Sequence, residues 1–293
     1  MEKTEQSFPF VSSDVFQTEK GALYLQAPGA AVLAAPDVRI EGLRSFLKSF
    51  PDDLHFDDYL ADPTKLTPTE TLCKVAGQLC YLSFGPVRSM NADADKYFLN
   101  IKESGHGSVL EHANFTVLWW GVSRSITHEL VRHRAGFGFS QVSQRYVGGK
   151  TLRFVERPEY VGDPFMHERF QRWIEAVRDE YDFRTEYLMQ RQSEGSKILS
   201  AESKTDLRKK VRGAARSVLG NETEAPILIT ANVRAWRHLF NMRASEHAEV
   251  EIRRAAYQTF KCLNSMAPTI FSDFADVELG DGTMALSTPF PKV

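Results

Sequence analysis

Cysteine is scarce in this sequence: the 293 residues include three, Cys73, Cys80 and Cys262. An odd, widely spaced trio argues against a disulfide framework and for a reducing cytosol. A charge excess of either sign is also missing. Lys+Arg number 36 and Asp+Glu 38, a formal charge of -2, so no global basic field points to nucleic acid. No apolar run approaches the roughly 20 residues of a membrane helix. Met1 to Lys20 is polar and acidic, without the basic-then-apolar order of a secretory leader. The expectation is a cytoplasmic protein with neither a nucleic-acid nor a membrane partner.

Repeats and low-complexity runs are absent, and the composition, 42% hydrophobic and 25% charged, is that of an ordinary globular chain. Ala22 to Pro36 and Phe50 to Thr69 read as connections around short elements, one of them a helix near Glu41 to Phe50. Thr67-x-x-Glu70 predicts a capping box opening a helix to about Leu82. Phe115 to Val122 reads as a strand buried on both faces, Ser123 to Arg134 as a short helix and Arg145 to Val155 as extended. Helices are expected from Pro164 onward, over Lys204 to Leu219, Asn232 to Asn241 and Glu246 to Asn264, with a strand at Pro226 to Ile229. An irregular tail follows Phe274. The pattern is α+β, a central antiparallel sheet flanked by helices, not alternating βα units. Residues 1–66 read as an N-terminal segment of the same domain, 67–275 as its main body and 276–293 as a tail.

Three segments concentrate chemistry: Gly105-His106-Gly107-Ser108-Val109-Leu110-Glu111-His112; Arg132-His133-Arg134 with Phe139-Ser140-Gln141-Val142-Ser143-Gln144-Arg145-Tyr146; and Asn232-Val233-Arg234 with Arg243-Ala244-Ser245-Glu246-His247. Basic residues at 132–134 could simply offset the negative end of a helix dipole. The stretch after them joins glycines (Gly136, Gly138) to hydroxyl, amide and guanidinium groups, which suits a loop wrapping a phosphate. Arg234 with His238, and Arg243 with His247, stand at i and i+4, so each pair can share a helix face.

Familiar alternatives fit poorly. The histidines of His128-Glu129-Leu130-Val131-Arg132-His133 are five apart, which takes one off the face that zinc-protease helices share. Gly148-Gly149-Lys150-Thr151 imitates the end of a phosphate loop whose first glycine would fall at Gln144, and Gly136-Phe137-Gly138 meets Gln141 where a third glycine is needed. His106, Glu111 and His112 leave a metal-dependent hydrolase as the enzyme alternative, although no metal is expected from their spacing. A nucleic-acid module built on Arg132 to Arg145 is the non-enzyme alternative, disfavoured by balanced charge and the lack of interleaved aromatics.

The three blocks together resemble the flavin-dependent thymidylate synthases over roughly Thr71 to Leu263. Their signature, R-H-R then S-x-R-Y, is matched by Arg132-His133-Arg134 and Ser143-Gln144-Arg145-Tyr146. The spacer Ala135 to Val142 is one residue longer than the commonest form. The resemblance implies a homotetramer with sites shared between subunits, FAD as cofactor, NADPH or NADH as reductant, and methylenetetrahydrofolate as one-carbon donor to dUMP. It implies flavin contacts from His106, Ser108, Arg132, His133, Arg134, Asn232, Arg234, His238 and His247. Nucleotide contacts are implied from Glu129, Arg132, Gln141, Val142, Ser143, Gln144, Arg145, Arg216 and Arg243. Arg243 is the implied catalytic group, favouring the ionised uracil ring. All three cysteines are read as packing residues, and Ser143 as a binding group rather than a nucleophile.

Overall fold

The computed structural model describes residues 8–61, 64–86, 93–195, 199–200 and 203–293, so parts of the N-terminal segment, 1–7 and 62–63, lie outside the described residues. The strands are β1 (Phe10–Val11), β2 (Val15–Gln17), β3 (Leu23–Leu25), β4 (Gly29–Ala34), β5 (Asn114–Trp120), β6 (Phe137–Gln141), β7 (Arg153–Val155), β8 (Ile227–Asn232), β9 (Ala275–Glu278) and β10 (Met284–Ser287). The longer helices are α1 (Pro68–Cys80), α2 (Ala94–Glu103), α3 (Arg124–Leu130), α4 (Pro164–Ser193), α5 (Lys204–Ala215), α6 (Val233–Arg243) and α7 (Val250–Met266).

The main sheet runs in the order β1-β4-β5-β8-β6 and is antiparallel throughout. Alternation decides its two faces. Phe115, Val117 and Trp119 of β5 and Ile227, Ile229 and Ala231 of β8 point into the core. There they meet Trp236, Leu239 and Phe240 of α6 and Ile252, Ala256 and Phe260 of α7. Burying each such side chain contributes about 1.5–3 kcal/mol before chain entropy is set against it. Trp119 also needs a partner for its indole N–H, and finds Thr259 Oγ1 at 2.6 Å.

The opposite face carries Thr116, hydrogen-bonded to Thr230 at 2.9 Å, with Leu118 and Trp120 half-buried. The strand at 114–120 is therefore buried on one face, not both. Ala22 to Pro36, read as connection, supplies β3 and β4. Short apolar residues such as Gly29 and Ala30 let β4 lie close against Trp120, whose ring would strike a Cβ at position 29 at 2.1 Å.

A second layer packs β2-β3-β7 against α4 and α5 around Tyr24, Phe154, Phe170, Ile174 and Tyr181. Its β3–β7 pair is parallel. The chain is thus mixed α and β, with an antiparallel main sheet and a mixed three-stranded sheet flanked by helices. The capping box at Thr67 is formed: Thr67 N–H donates to Glu70 Oε2 at 2.9 Å while its hydroxyl accepts from Glu70 N–H. Arg145 to Val155 is extended only at β7, with a turn and a short 3-10 segment before it. The segment after Phe274 is not irregular. It forms the β9–β10 hairpin, whose Leu286 N–H donates to Ala244 O at 2.7 Å.

Candidate active site

Helix α3 stops at Leu130, and the turn is prolonged by Arg132 N–H to Glu129 O (3.2 Å) and His133 N–H to Leu130 O (3.0 Å). The chain then reverses at Gly136, with φ +77, where a Cβ would lie 2.8 Å from Asn232 Nδ2. Glycine is the residue that tolerates both the angle and the approach. The stretch read as a glycine loop is accordingly a tight turn followed by strand β6, which pairs with β8 from Phe137↔Ala231 to Gln141↔Ile227.

That reversal packs His133 beside Phe137 and His238, with ring centroids 5.8 and 5.7 Å away. His133 Nε2 accepts from Arg243 Nε at 3.0 Å, and Arg243 Nη1 donates to Glu129 Oε2 at 2.8 Å. Burial first, then the charges of Arg243 and His238, push the His133 imidazole down to about 4. At neutral pH the ring is therefore uncharged, with its proton on Nδ1 by virtue of the bond that Nε2 accepts. Residues 110 and more positions apart in sequence (Glu129 and His133 against Arg243) meet here.

The other end of α6 builds a second group. Asn232 is the helix N-cap, its Oδ1 accepting from Ala235 N–H at 2.8 Å. Arg234 Nη1 pairs with Glu111 Oε1 at 2.6 Å. The Arg234 guanidinium crosses directly over Gly107, where a Cβ would come within 2.7 Å of Nε. Gly107 therefore allows the first and third blocks to touch, and His106 and Ser108 flank it, both exposed. A cavity of about 330 Å³ is lined by Glu111, Gly136, Asn232, Arg234, His238 and residues 291–293.

The third group follows β6. Gln141 Nε2 donates to Thr127 Oγ1 at 3.3 Å, and Val142 N–H to Pro226 O at 2.9 Å. Gln144 is buried, and its Nε2 has no partner among the described residues. With Val142, Leu152, Leu219 and Pro226 it lines another cavity of about 440 Å³. An orphaned buried amide N–H on a residue that borders such a space is an unmet donor. Ser143 Oγ accepts from Arg145 N–H at 3.4 Å. Arg216 opens the 3-10 turn Arg216–Val218 that leads to Leu219 in the same wall.

Other site candidates are not gathered within one chain. Arg132, Arg134 and Arg145 are exposed, and no hydrogen bond or ion pair ties their side chains to the groups above among the described residues. His247 is not stacked on Arg243. Helix α6 ends at Arg243, so the i, i+4 geometry is lost, and the His247 side chain, 88% exposed, lies beside Glu246. Glu111 serves Arg234, and among the described residues no three His, Cys, Asp or Glu side chains gather as a metal set. Cys73 and Cys262 are buried, the Cys73 thiol being pushed up to about 12 by burial and then by Glu70, whereas Cys80 is exposed. Sequence reasoning missed the pairing role of Glu111 and the contribution of residues 291–293. Glu111 lies inside the first block, where its neighbours His106 and His112 suggest metal ligation and not an arginine partner; nothing in the local sequence marks the distant segment.

The family described as Thymidylate synthase complementing protein matches residues 64–269. A flavin-dependent thymidylate synthase of Corynebacterium diphtheriae is 42% identical over 224 residues, 76% of this chain and 86% of the relative. One of Mycobacterium avium is 41% identical over 237 residues, 79% and 92% of the two chains. One of Mycolicibacterium gilvum is 43% identical over 218 residues, 74% and 84%. The match encloses all three blocks, including the Arg243–His133–Glu129 cluster and the Arg234–Gly107 contact. The chain belongs to the flavin-dependent thymidylate synthase family.

Proposed function

We propose that the protein forms dTMP from dUMP, with methylenetetrahydrofolate as the one-carbon donor, FAD as cofactor and NADPH or NADH as reductant. The observation that carries the reading is the fixed Arg243 guanidinium, bonded to His133 and Glu129 at 3.0 and 2.8 Å.

The residues fit a flavin dinucleotide. The cavity at the start of α6 offers the Arg234 guanidinium, one of whose N–H groups goes to Glu111, the Asn232 amide and a bare glycine backbone at Gly136, hydrogen-bonding groups suited to a polar ligand that must approach closely. Arg234, Asn232, His238, His106 and Ser108 would hold it from this side, with His133 toward Arg243. When bound, the flavin supplies the reducing equivalents that convert the transferred carbon to a methyl group.

The chain's own task is binding and charge placement. Arginine has five N–H donors; two are used by His133 and Glu129, which leaves three for a ligand. A uracil ring gains nucleophilic character at carbon 5 as negative charge develops on its oxygens. A guanidinium already held in position stabilises that charge without reorganising. Neutral His133 keeps the guanidinium oriented through Nε2 and can donate from Nδ1. Gln141 to Arg145, with Arg216, would take the nucleotide, the buried Gln144 amide serving as a donor.

The exposed Arg132, Arg134, Arg145 and His247 suit a homotetramer in which neighbouring subunits complete each site. A size measurement yielding a stable, active monomer would overturn that arrangement. Among the described residues no helix is long and apolar enough to cross a membrane, and the free thiols support a cytoplasmic location. The decisive experiment is anaerobic: reduce the purified protein, add dUMP and methylenetetrahydrofolate, and look for dTMP. Its absence would refute the activity.

A further inference from the structure

The cavity at the start of α6 has a charge arrangement that the three sequence blocks alone leave incomplete. Arg234 is already committed to Glu111 at 2.6 Å, so that pair brings no net positive charge to an anionic ligand. The remaining ammonium or guanidinium in the lining is Lys292. It is exposed and has no carboxylate partner among the described residues.

Lys292 is not on a loose strand. Asp273, with a side chain 4% exposed, sits between Arg237 at 2.7 Å and Lys102 at 3.0 Å. The Thr288 hydroxyl donates to the same carboxylate and accepts from Phe290 N–H at 3.0 Å. Phe290 packs against the main core, and Val293 is buried. Arg237 Nε then reaches Val293 O at 3.4 Å, and Val293 N–H donates to Phe290 O. Arg237 belongs to α6, three residues after Arg234 and one before His238. Helix α6 therefore presents Arg234 and His238 to the cavity while its inward-facing Arg237 anchors the segment that closes it. Breaking a buried ion cluster of this kind is strongly unfavourable, so the wall is held in place.

We propose that Lys292, carried into this cavity by residues 288–293, is a phosphate contact of the flavin dinucleotide. The proposal rests on reading the cavity as the flavin site. An ammonium on a flexible stem binds phosphate as a point charge and needs no fixed fork geometry, which matches an exposed side chain on an otherwise anchored segment.

The test is a titration of the full-length protein, stripped of flavin, with FAD and with riboflavin, which carries no phosphate. Lys292→Ala should raise the Kd for FAD on the order of tenfold, the worth of one charge-assisted contact, and leave that for riboflavin unchanged. Lys292→Arg should restore most of the FAD affinity. Unchanged FAD affinity in Lys292→Ala, or an equal loss for riboflavin, overturns the phosphate role. Arg234→Ala separates the two levels of inference. If it weakens FAD binding while Lys292→Ala does not, Lys292 alone is misassigned. If neither does, the cavity is not the flavin site and both readings fall.

Discussion

Replacing Arg243 by alanine tests the centre of the proposed chemistry. The guanidinium is 23% exposed and held by one imidazole and one carboxylate, so it is placed before any ligand arrives. Losing a preorganised group that stabilises developing negative charge raises a barrier by about 3 kcal/mol, on the order of a 100-fold fall in rate. Folding should suffer much less. Glu129 is 38% exposed and returns to water when its partner goes, so the stability lost is that of a half-exposed ion pair, under about 1 kcal/mol. Relieved of a neighbouring cation, the His133 imidazole should titrate at higher pH than in the parent. Single-turnover dTMP formation under anaerobic conditions measures the first effect, thermal melting the second and NMR of the imidazole the third. Parental turnover in Arg243→Ala would refute the assignment. So would activity lost in proportion to bound flavin, since Arg243 would then be holding the cofactor instead of acting on uracil.

Gly107→Ala places a methyl group 2.7 Å from Arg234 Nε; the long side chain can retreat, so the expected result is a folded protein with flavin affinity several-fold weaker, read by equilibrium titration. Asn232→Ala removes the N-cap of α6 and should lower stability by about 1 kcal/mol, whereas Asn232→Ser keeps an acceptor and should lose only a fraction of that in denaturant melts. The pH dependence follows from His133. Its folded value of about 4 lies below its ordinary 6.5, so the unfolded chain binds the proton more readily. The stabilisation is complete above pH 6.5 and is lost as pH falls toward 4. Because the ring is only half-buried, the loss should be about 1 kcal/mol after discounting for solvent. A His133→Asn variant should flatten that part of the stability–pH curve; an unaltered slope would show that other groups produce it.

Much of the helical framework is legible from local chemistry. The capping box at Thr67 and Glu70 is formed from residues three apart, and the apolar spacing that starts at Pro164 becomes the 30-residue α4. The strand at Gly29–Ala34 was not legible because small residues such as Gly29 and Ala30 have little strand preference of their own, and Leu23–Leu25, at three residues, is too short to show an alternation. They become strands by pairing with β7 and β5. The β9–β10 hairpin escaped for a related reason: its anchorage, Leu286 on Ala244, lies 42 positions away in sequence.

The residue types of the site were set by the sequence itself, since chemistry needs particular side chains and these stand in three compact blocks. Which side chains meet was decided only by tertiary structure. Bringing Glu129 and His133 to Arg243 required α3 and α6 to pack into one core, Ile126 and Leu130 together with Trp236 and Leu239, and laying Arg234 over Gly107 required a bare backbone on a different element. The same packing ended α6 at Arg243, releasing His247 to solvent, and carried residues 291–293 to the cavity wall. A side chain's identity is a local property of the chain. Its hydrogen-bond partner is a property of how the core packs, and no local pattern encodes that.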